Sequence, residues 1–371
     1  MKITKVEPFL VDRFLLVRVY TDEDLVGNGE AGLWAHHGIV CEAIRELGHY
    51  YIGKDPTLIE HHWQVVSRDT HFMGAVLSAA LSAIDIALWD ILGKSVNLPV
   101  YKLLGGKCRD RVRVFNNVFG ETLEKLAESA SNSVKQGFTA LRVSPFSRDT
   151  TRQMPTKVIK TAVDMVRTIR EAVGDEIDLG VEIHRNLGLT EAIILARELE
   201  PYHLLYYEDP IAPESVEALA YVASHVSIPI ATGERFYNIW QFKELIDKKT
   251  VSLIRPDTSL VGGITHAKKI AALAESAFVG IFPHLMGGPV NNAAFVQLDA
   301  AIPNYVLQES NITRPPLTEI VDEPIKLERG YMIVPNRPGI GVEINEEILA
   351  KYPPKPREIT GVFHEDGSVA H

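Results

Sequence analysis

The sequence predicts an α/β barrel of eight parallel strands and seven helices, (β/α)7β, preceded by an α+β module and followed by a proline-punctuated tail. Three observations carry that expectation. From residue 112 onward, short apolar runs alternate with amphipathic stretches, the rhythm of parallel strands joined by right-handed helical crossovers. Three of those runs close on glutamate: Glu182 in DLGVEIH, Glu208 in LLYYEDP and Glu234 in IPIATGER, at an even spacing of 26 residues. Before them, the first hundred residues read as an antiparallel meander and then helices, a pattern foreign to a barrel.

The opening module can be justified element by element. Residues 2–11 and 14–20 alternate or run apolar around Asp12-Arg13, and 25–30 follow the turn-like Thr21-Asp22-Glu23-Asp24, which predicts three antiparallel strands. Helices are expected over 37–52, over 56–68 after Asp55-Pro56, and over 72–93, where Leu77, Leu81, Ile84, Leu88 and Ile91 recur at three- and four-residue steps. Gly105-Gly106 and the charged stretch from Lys107 to Arg113 punctuate the chain before the barrel begins.

Eight strand-like runs follow, at 112–118, 138–144, 178–184, 203–208, 228–234, 251–257, 278–284 and 305–309. Seven are followed by helix-like stretches: 121–135, 156–173, 189–199, 214–225, 238–248, 264–276 and 289–300. The eighth meets Pro315-Pro316 instead, so its helix is missing. The expected organisation is an α+β capping domain over 1–110, the barrel over 111–317 and a C-terminal segment over 318–371 that returns to the capping domain and carries a short strand-like run at 331–334.

Composition narrows the function. The 371 residues are 46% hydrophobic and 23% charged, the balance of an ordinary globular chain. A net charge of −10 offers no basic field for a phosphate backbone, so nucleic acid is not an expected partner. The two cysteines, Cys41 and Cys108, have no thiolate-ligand spacing, which removes support for disulfide scaffolds and thiolate zinc sites and suits a reducing compartment. No run approaches the roughly 20 apolar residues of a spanning helix, and the N-terminus reads as a strand. A cytoplasmic protein without a membrane partner is expected.

Barrel enzymes place their chemistry at the C-terminal ends of the strands. Seven consecutive runs here end in polar residues: Arg142 with Ser144, Glu182 with His184, Glu208, Glu234, Asp257, His284 and Glu309. A single carboxylate in such a place is as often a helix cap or half of an ion pair, but seven in register cannot all be caps. Three converging glutamates repel one another unless a cation neutralises them, and all-oxygen ligation favours Mg²⁺, with Mn²⁺ as a substitute.

Further segments carry a resemblance: MKITKVEPF at the start, GKDP at 53–56, SAIDIALWDILGK at 82–94, LLGGKCRDRV at 103–112, RPD at 255–257, VGGIT at 261–265, FPH at 282–284, LQES at 307–310 and PGIGVEIN at 338–345. In this order, with the EDP and GER segments, the chain resembles the enolase superfamily, within its mandelate racemase group, and most nearly the acid-sugar dehydratases, galactonate dehydratases among them. The resemblance implies a modified TIM barrel with an N-terminal capping domain, Mg²⁺ on Glu182, Glu208 and Glu234, and a homo-oligomer. It also implies an enolate mechanism with a histidine base. His284 is then the base, polarised by Asp257, and Glu309, if protonated, donates a hydrogen bond to the enolised carboxylate. His184, two residues beyond Glu182, points to the same face if the strand continues, where it can protonate a departing hydroxyl.

Three departures from the resembled pattern bear on these roles. Glu182 stands where galactonate dehydratases carry aspartate. Arg142-Val143-Ser144 replaces a Lys-x-Lys motif; arginine is no base, so a two-base racemase loses support and Arg142 can fork onto the substrate carboxylate. Arg185-Asn186 replaces Gly-Arg, altering the contacts of that loop with a polyol. Specificity is expected from the capping module, through Arg13, Trp34, His36, His37, His71 and Phe72. The expected reaction is dehydration of a galactonate-like aldonate to a 2-keto-3-deoxy acid. The alternatives are gluconate, arabinonate or another sugar acid, a racemase or cycloisomerase using the same enolate, and a silent binding protein.

Overall fold

The structure is a computed structural model that describes residues 1–146, 153–310 and 314–369. Its first unit is a meander of β1 (Ile3–Val11), β2 (Phe14–Thr21) and β3 (Val26–Ala31), paired antiparallel in that order. Helices α1 (His37–Tyr51), α2 (Ile59–Asp69) and α3 (Ala75–Ser95) cover it, and the short α4 (Val100–Leu103) leads out. Leu15, Val17 and Val19 meet Ile84, Leu88 and Ile91 in one apolar core. Strand β3 lies almost against the backbone of α3. A Cβ at Gly27 would stand 2.1 Å from the Ala87 carbonyl and one at Gly29 1.9 Å from that of Ala83, so only glycine allows the approach.

Helix α3 corrects one expectation. Its length and composition alone would let it cross a membrane, but 72% of its apolar window is buried inside the fold. A core helix apolar all round reads the same way.

The second unit alternates strand and helix: β4 (Arg111–Arg113), β5 (Asn116–Asn117), α5 (Leu123–Lys135), β6 (Ala140–Val143), α6 (Pro155–Val173), β7 (Asp178–Glu182), α7 (Leu189–Leu199), β8 (Tyr206–Glu208) and α8 (Val216–His225). It continues through β9 (Ile230–Thr232), α9 (Ile239–Asp247), β10 (Leu253–Ile254), α10 (Gly263–Glu275), β11 (Gly280–Ile281) and α11 (Pro289–Ala301). The seven strands from β5 to β11 are parallel and hydrogen-bonded in sequence order. The eighth run closes the cylinder through isolated parallel bridges, Tyr305 to Ile281 on one side and Gln308 to Val114 on the other.

Inside the cylinder, Phe115, Ala140, Tyr206, Ala231, Leu253, Phe282 and Leu307, one from each of seven strand positions, form a plug beneath the strand ends. The eighth position, on β7, is Gly180, where a Cβ would lie 2.1 Å from the Tyr206 ring.

After α11 the chain adds β12 (Leu327–Glu328), β13 (Tyr331–Ile333), which pairs with both β12 and β4, and a final short α12 (Glu346–Leu349). Residues 339–343 then lie on the first unit. The Val100 N–H donates to the Gly339 carbonyl, the Ile340 N–H to Asp90, and Glu343 pairs with Lys94.

Two buried acids fasten the units together at helix N-termini. Asp85 on α3 accepts from the Thr265 N–H and hydroxyl at the start of α10, and Glu30 on β3 accepts from the Gly288 and Asn291 N–H groups at the start of α11.

Candidate functional site

The strand ends of the barrel and the loops of the first unit enclose a cavity of about 950 Å³. Glu182 and Glu234 line it, with Glu208 buried beside them, and the three offer carboxylate oxygens that all lie within 4.8 Å of one another. Glu182 closes β7 and Glu208 closes β8, paired in parallel register. Glu234 stands just past β9, after Gly233, whose φ of +128° and contact with the Phe242 ring exclude a side chain.

Buried carboxylates this close resist ionising together. Burial pushes Glu208 up to about 7 against the pull of Arg255 and Arg142, and burial likewise raises Glu182. For Glu234, burial is outweighed by His284 and Arg185, and the group stays well below the usual carboxylate range. Three carboxylates this close, two of them raised by burial, are the all-oxygen donor set of a hard divalent ion.

Two arginines stand against this cluster. Arg142, on β6, holds Asn117 through Nε at 2.8 Å and Glu309 at 2.9 Å, and lies 3.3 and 3.4 Å from Glu208 and Glu182. The sequence reading passed over Arg255, which is wholly buried 2.8 Å from Glu208 and 2.7 Å from Glu309. A signal existed: Arg255 lies two residues before Asp257, so an extended backbone turns both side chains to the same face.

His284 follows β11. Its Nδ1 lies 2.9 Å from Asp257 Oδ2, and its Nε2 lies 3.7 Å from Glu234. Asp257 is held in turn: its Oδ1 accepts from the Ser259 N–H and hydroxyl and from the Asn291 amide. Burial depresses the imidazole, but Glu234 and the Asp257 hydrogen bond outweigh it and raise His284 to about 9. A cation shared by Glu234 would weaken the largest of those pulls and return the ring toward the neutral form that a base needs.

Glu309, expected to donate a hydrogen bond if protonated, accepts hydrogen bonds from Arg142, Arg255 and the Leu285 N–H. Burial pushes its carboxyl up, but Arg142, Arg255 and His284 together bring it below the ordinary value.

His184 reaches the cavity by a different route from the one expected. Strand β7 stops at Glu182, and His184 and Arg185 adopt left-handed backbone, with φ of +53° and +65°. Conformations of this kind in residues other than glycine cost roughly 1–3 kcal/mol and gather at functional sites. Both side chains line the cavity with Ser144. Arg185 pairs with Asp209 and Glu234, so it is tied to a carboxylate of the cluster and not simply open to a ligand.

The expected specificity residues divide. Trp34, His36 and His37 line the cavity. Arg13 borders an adjoining cleft of about 710 Å³. His71 and Phe72 lie exposed between α2 and α3 and line neither space. Arg357, Thr360 and Val362, from the tail, also line the cavity, and no periodicity or spacing marks them.

Comparison with known proteins places these features in company. Residues 125–348 match the family described as enolase C-terminal domain-like, and residues 5–105 match the mandelate racemase / muconate lactonizing enzyme N-terminal domain. The chain is 36% identical over 362 residues, 94% of each chain, to the D-galactonate dehydratase of Pectobacterium atrosepticum. It is 34% identical over 381 residues, 100% of each chain, to that of Variovorax paradoxus. Among solved structures, an enolase from Agrobacterium radiobacter bound to Na and L-malate superposes with a TM-score of 0.93 at 32% identity, covering 100% of this chain and 99% of that one. A member of the enolase superfamily from Salmonella Typhimurium gives 0.90 at 32% identity, covering 95% and 98%.

Proposed function

Because the chain belongs to the enolase superfamily, in the group of mandelate racemase and muconate lactonizing enzymes, we propose that it is a sugar-acid dehydratase that removes the C2 proton and the C3 hydroxyl of an aldonate. The observation that carries this reading is one cavity lined by Glu182 and Glu234 of the carboxylate triad, the Asp257–His284 pair and His184. Galactonate is the first substrate to test, since the relatives with that name match the chain over its length.

Glu182, Glu208 and Glu234 would hold Mg²⁺, or Mn²⁺ in its place, whose charge would stabilise the second negative charge that gathers on the substrate carboxylate when C2 is deprotonated. With Nδ1–H given to Asp257, His284 keeps the Nε2 lone pair for the C2 proton. His184 delivers a proton to the C3 hydroxyl as it departs, and the enol so formed tautomerises to a 2-keto-3-deoxy acid. Arg142, which lines the cavity and is fixed by Glu309, supplies the positive charge that orients the substrate carboxylate, while the buried Arg255 compensates Glu208 and Glu309. A two-base racemase lacks its second base, because that strand end carries Arg142.

The test is a screen of diastereomeric C5 and C6 sugar acids for 2-keto-acid formation, with Mg²⁺ and after chelation. Formation of the keto acid that stops with chelator and returns with Mg²⁺ is the expected result. Interconversion of C2 epimers without loss of water would contradict the dehydratase reading.

A further inference from the structure

Each carboxylate of the triad has an arginine against it, and the three arginines are held differently. Arg142, facing Glu182 at 3.4 Å, and Arg255, on Glu208 at 2.8 Å, are both clamped from a second side by Glu309, at 2.9 and 2.7 Å. Arg185, against Glu234, comes from the left-handed turn beyond β7 and lines the cavity. Among the described residues, Nη1 alone of its guanidinium nitrogens is hydrogen-bonded. That one nitrogen is shared between Glu234 Oε1 and Asp209 Oδ2, the latter at 2.5 Å.

Asp209 is the fixed half of this arrangement. It is buried, its Oδ1 accepts from the Thr232 hydroxyl at 2.5 Å, and its carbonyl accepts from the Arg185 N–H at 2.9 Å. Arg185 is thus tethered to Asp209 through both backbone and side chain, and Asp209 lies outside the set of three donors. One carboxylate suffices to balance one guanidinium, so the contact with Glu234 can be given up without stranding the arginine. A dication ligated by Glu234 would stand beside the guanidinium, and like charges repel most strongly where water is excluded.

We propose that Arg185 is a tethered counter-ion that competes with the metal for Glu234: its guanidinium covers that carboxylate when the cation is absent and yields it, while staying on Asp209, when the cation binds. This rests on the reading of the triad as a metal site and adds a positioning residue that sets the affinity of that site. Loss of the guanidinium then strengthens metal binding while weakening the metal-free fold. An arginine that only braced its loop would weaken both when removed.

Calorimetric titration of Mg²⁺ into chelator-stripped protein, with thermal midpoints read before and after, compares wild type with R185Q, R185M, R185K and R235Q at fixed pH and ionic strength. R185Q and R185M, either of which suffices, are expected to bind Mg²⁺ about tenfold more tightly than wild type and to gain more in thermal midpoint from it. R185K, which keeps the charge, is expected to stay within about threefold of wild type. R235Q removes an equal charge from the cavity wall, where Arg235 pairs with Glu214, and is expected to stay within about twofold. Binding by the neutral Arg185 variants that is no tighter than that of wild type, or an equal gain in R235Q, would overturn the exchange. Where wild type binds Mg²⁺ and E208Q does not, that failure belongs to Arg185 alone; binding by no variant would overturn the metal-site reading together with the exchange.

Discussion

Arg255 shows what a buried charge does at this site. Its guanidinium is out of water and bridges Glu208 and Glu309, so each of those carboxylates relies on it for compensation. Removing one partner of a buried ion pair costs roughly 3–5 kcal/mol because the other charge is left uncompensated. R255M is therefore expected to lose stability on that scale in urea denaturation, and more in the absence of divalent cation than in its presence. Asp257, itself held by Ser259 and Asn291, lies 2.9 Å from His284 Nδ1, a contact that favours the tautomer with Nδ1 protonated. D257N is expected to lower kcat roughly 10²–10⁴-fold, the range of general acid–base catalysis, with KM little changed. Equal losses in kcat and affinity would mean that Asp257 merely supports the cavity wall.

At the scale of elements, the junctions between the two units rest on acids placed at helix N-termini. Burial raises Asp85 to about 7 in the fold, against hydrogen bonds from Thr265 that oppose the rise. The unfolded chain has the ordinary value near 3.8. A folded pKa above the unfolded one means that the fold takes up a proton as pH falls, so this group favours folding most below pH 4 and progressively less as pH rises through 7. An asparagine there does not titrate. D85N is expected to lower the thermal midpoint at pH 5 and to lower it less at pH 8, measured by calorimetry at matched ionic strength. Glu30, also raised to about 7 by burial, contributes with the same sign at α11. Helix boundaries were legible from periodicity and punctuation, as at 189–199, because amphipathic faces and flanking Gly188 and Pro201 are local facts. Strand ends were less so: the run read as 178–184 stops at Glu182, because the left-handed turn at His184 and Arg185 depends on hydrogen bonds to Glu208 and Asp209 on the next strand.

Across the whole molecule, the barrel supplies the chemistry, while the first unit and the tail supply the walls. The triad of glutamates was readable because a repeating unit puts equivalent positions at equal spacing. The arginine partners of Glu309, the burial of Arg255 and the stacking of Arg357 on Trp34 were not, since each depends on contacts between residues far apart in sequence. A cation held by the three glutamates of the proposed site would bind the folded chain and not the unfolded one, and so stabilise the fold. Mg²⁺ at about 100 times its dissociation constant is expected to raise stability by about 2.7 kcal/mol, read as a higher thermal midpoint, and E208Q to abolish most of that shift. The division of labour between the two histidines on either side of the triad is the central claim, and proton exchange at C2 separates them. In deuterated water, with the sugar acid that wild-type protein turns over, NMR should show H184N replacing the C2 proton by deuterium while forming little keto acid, and H284N doing neither. Continued C2 exchange in H284N, or dehydration by H184N at the wild-type rate, would contradict the assignment of base and acid.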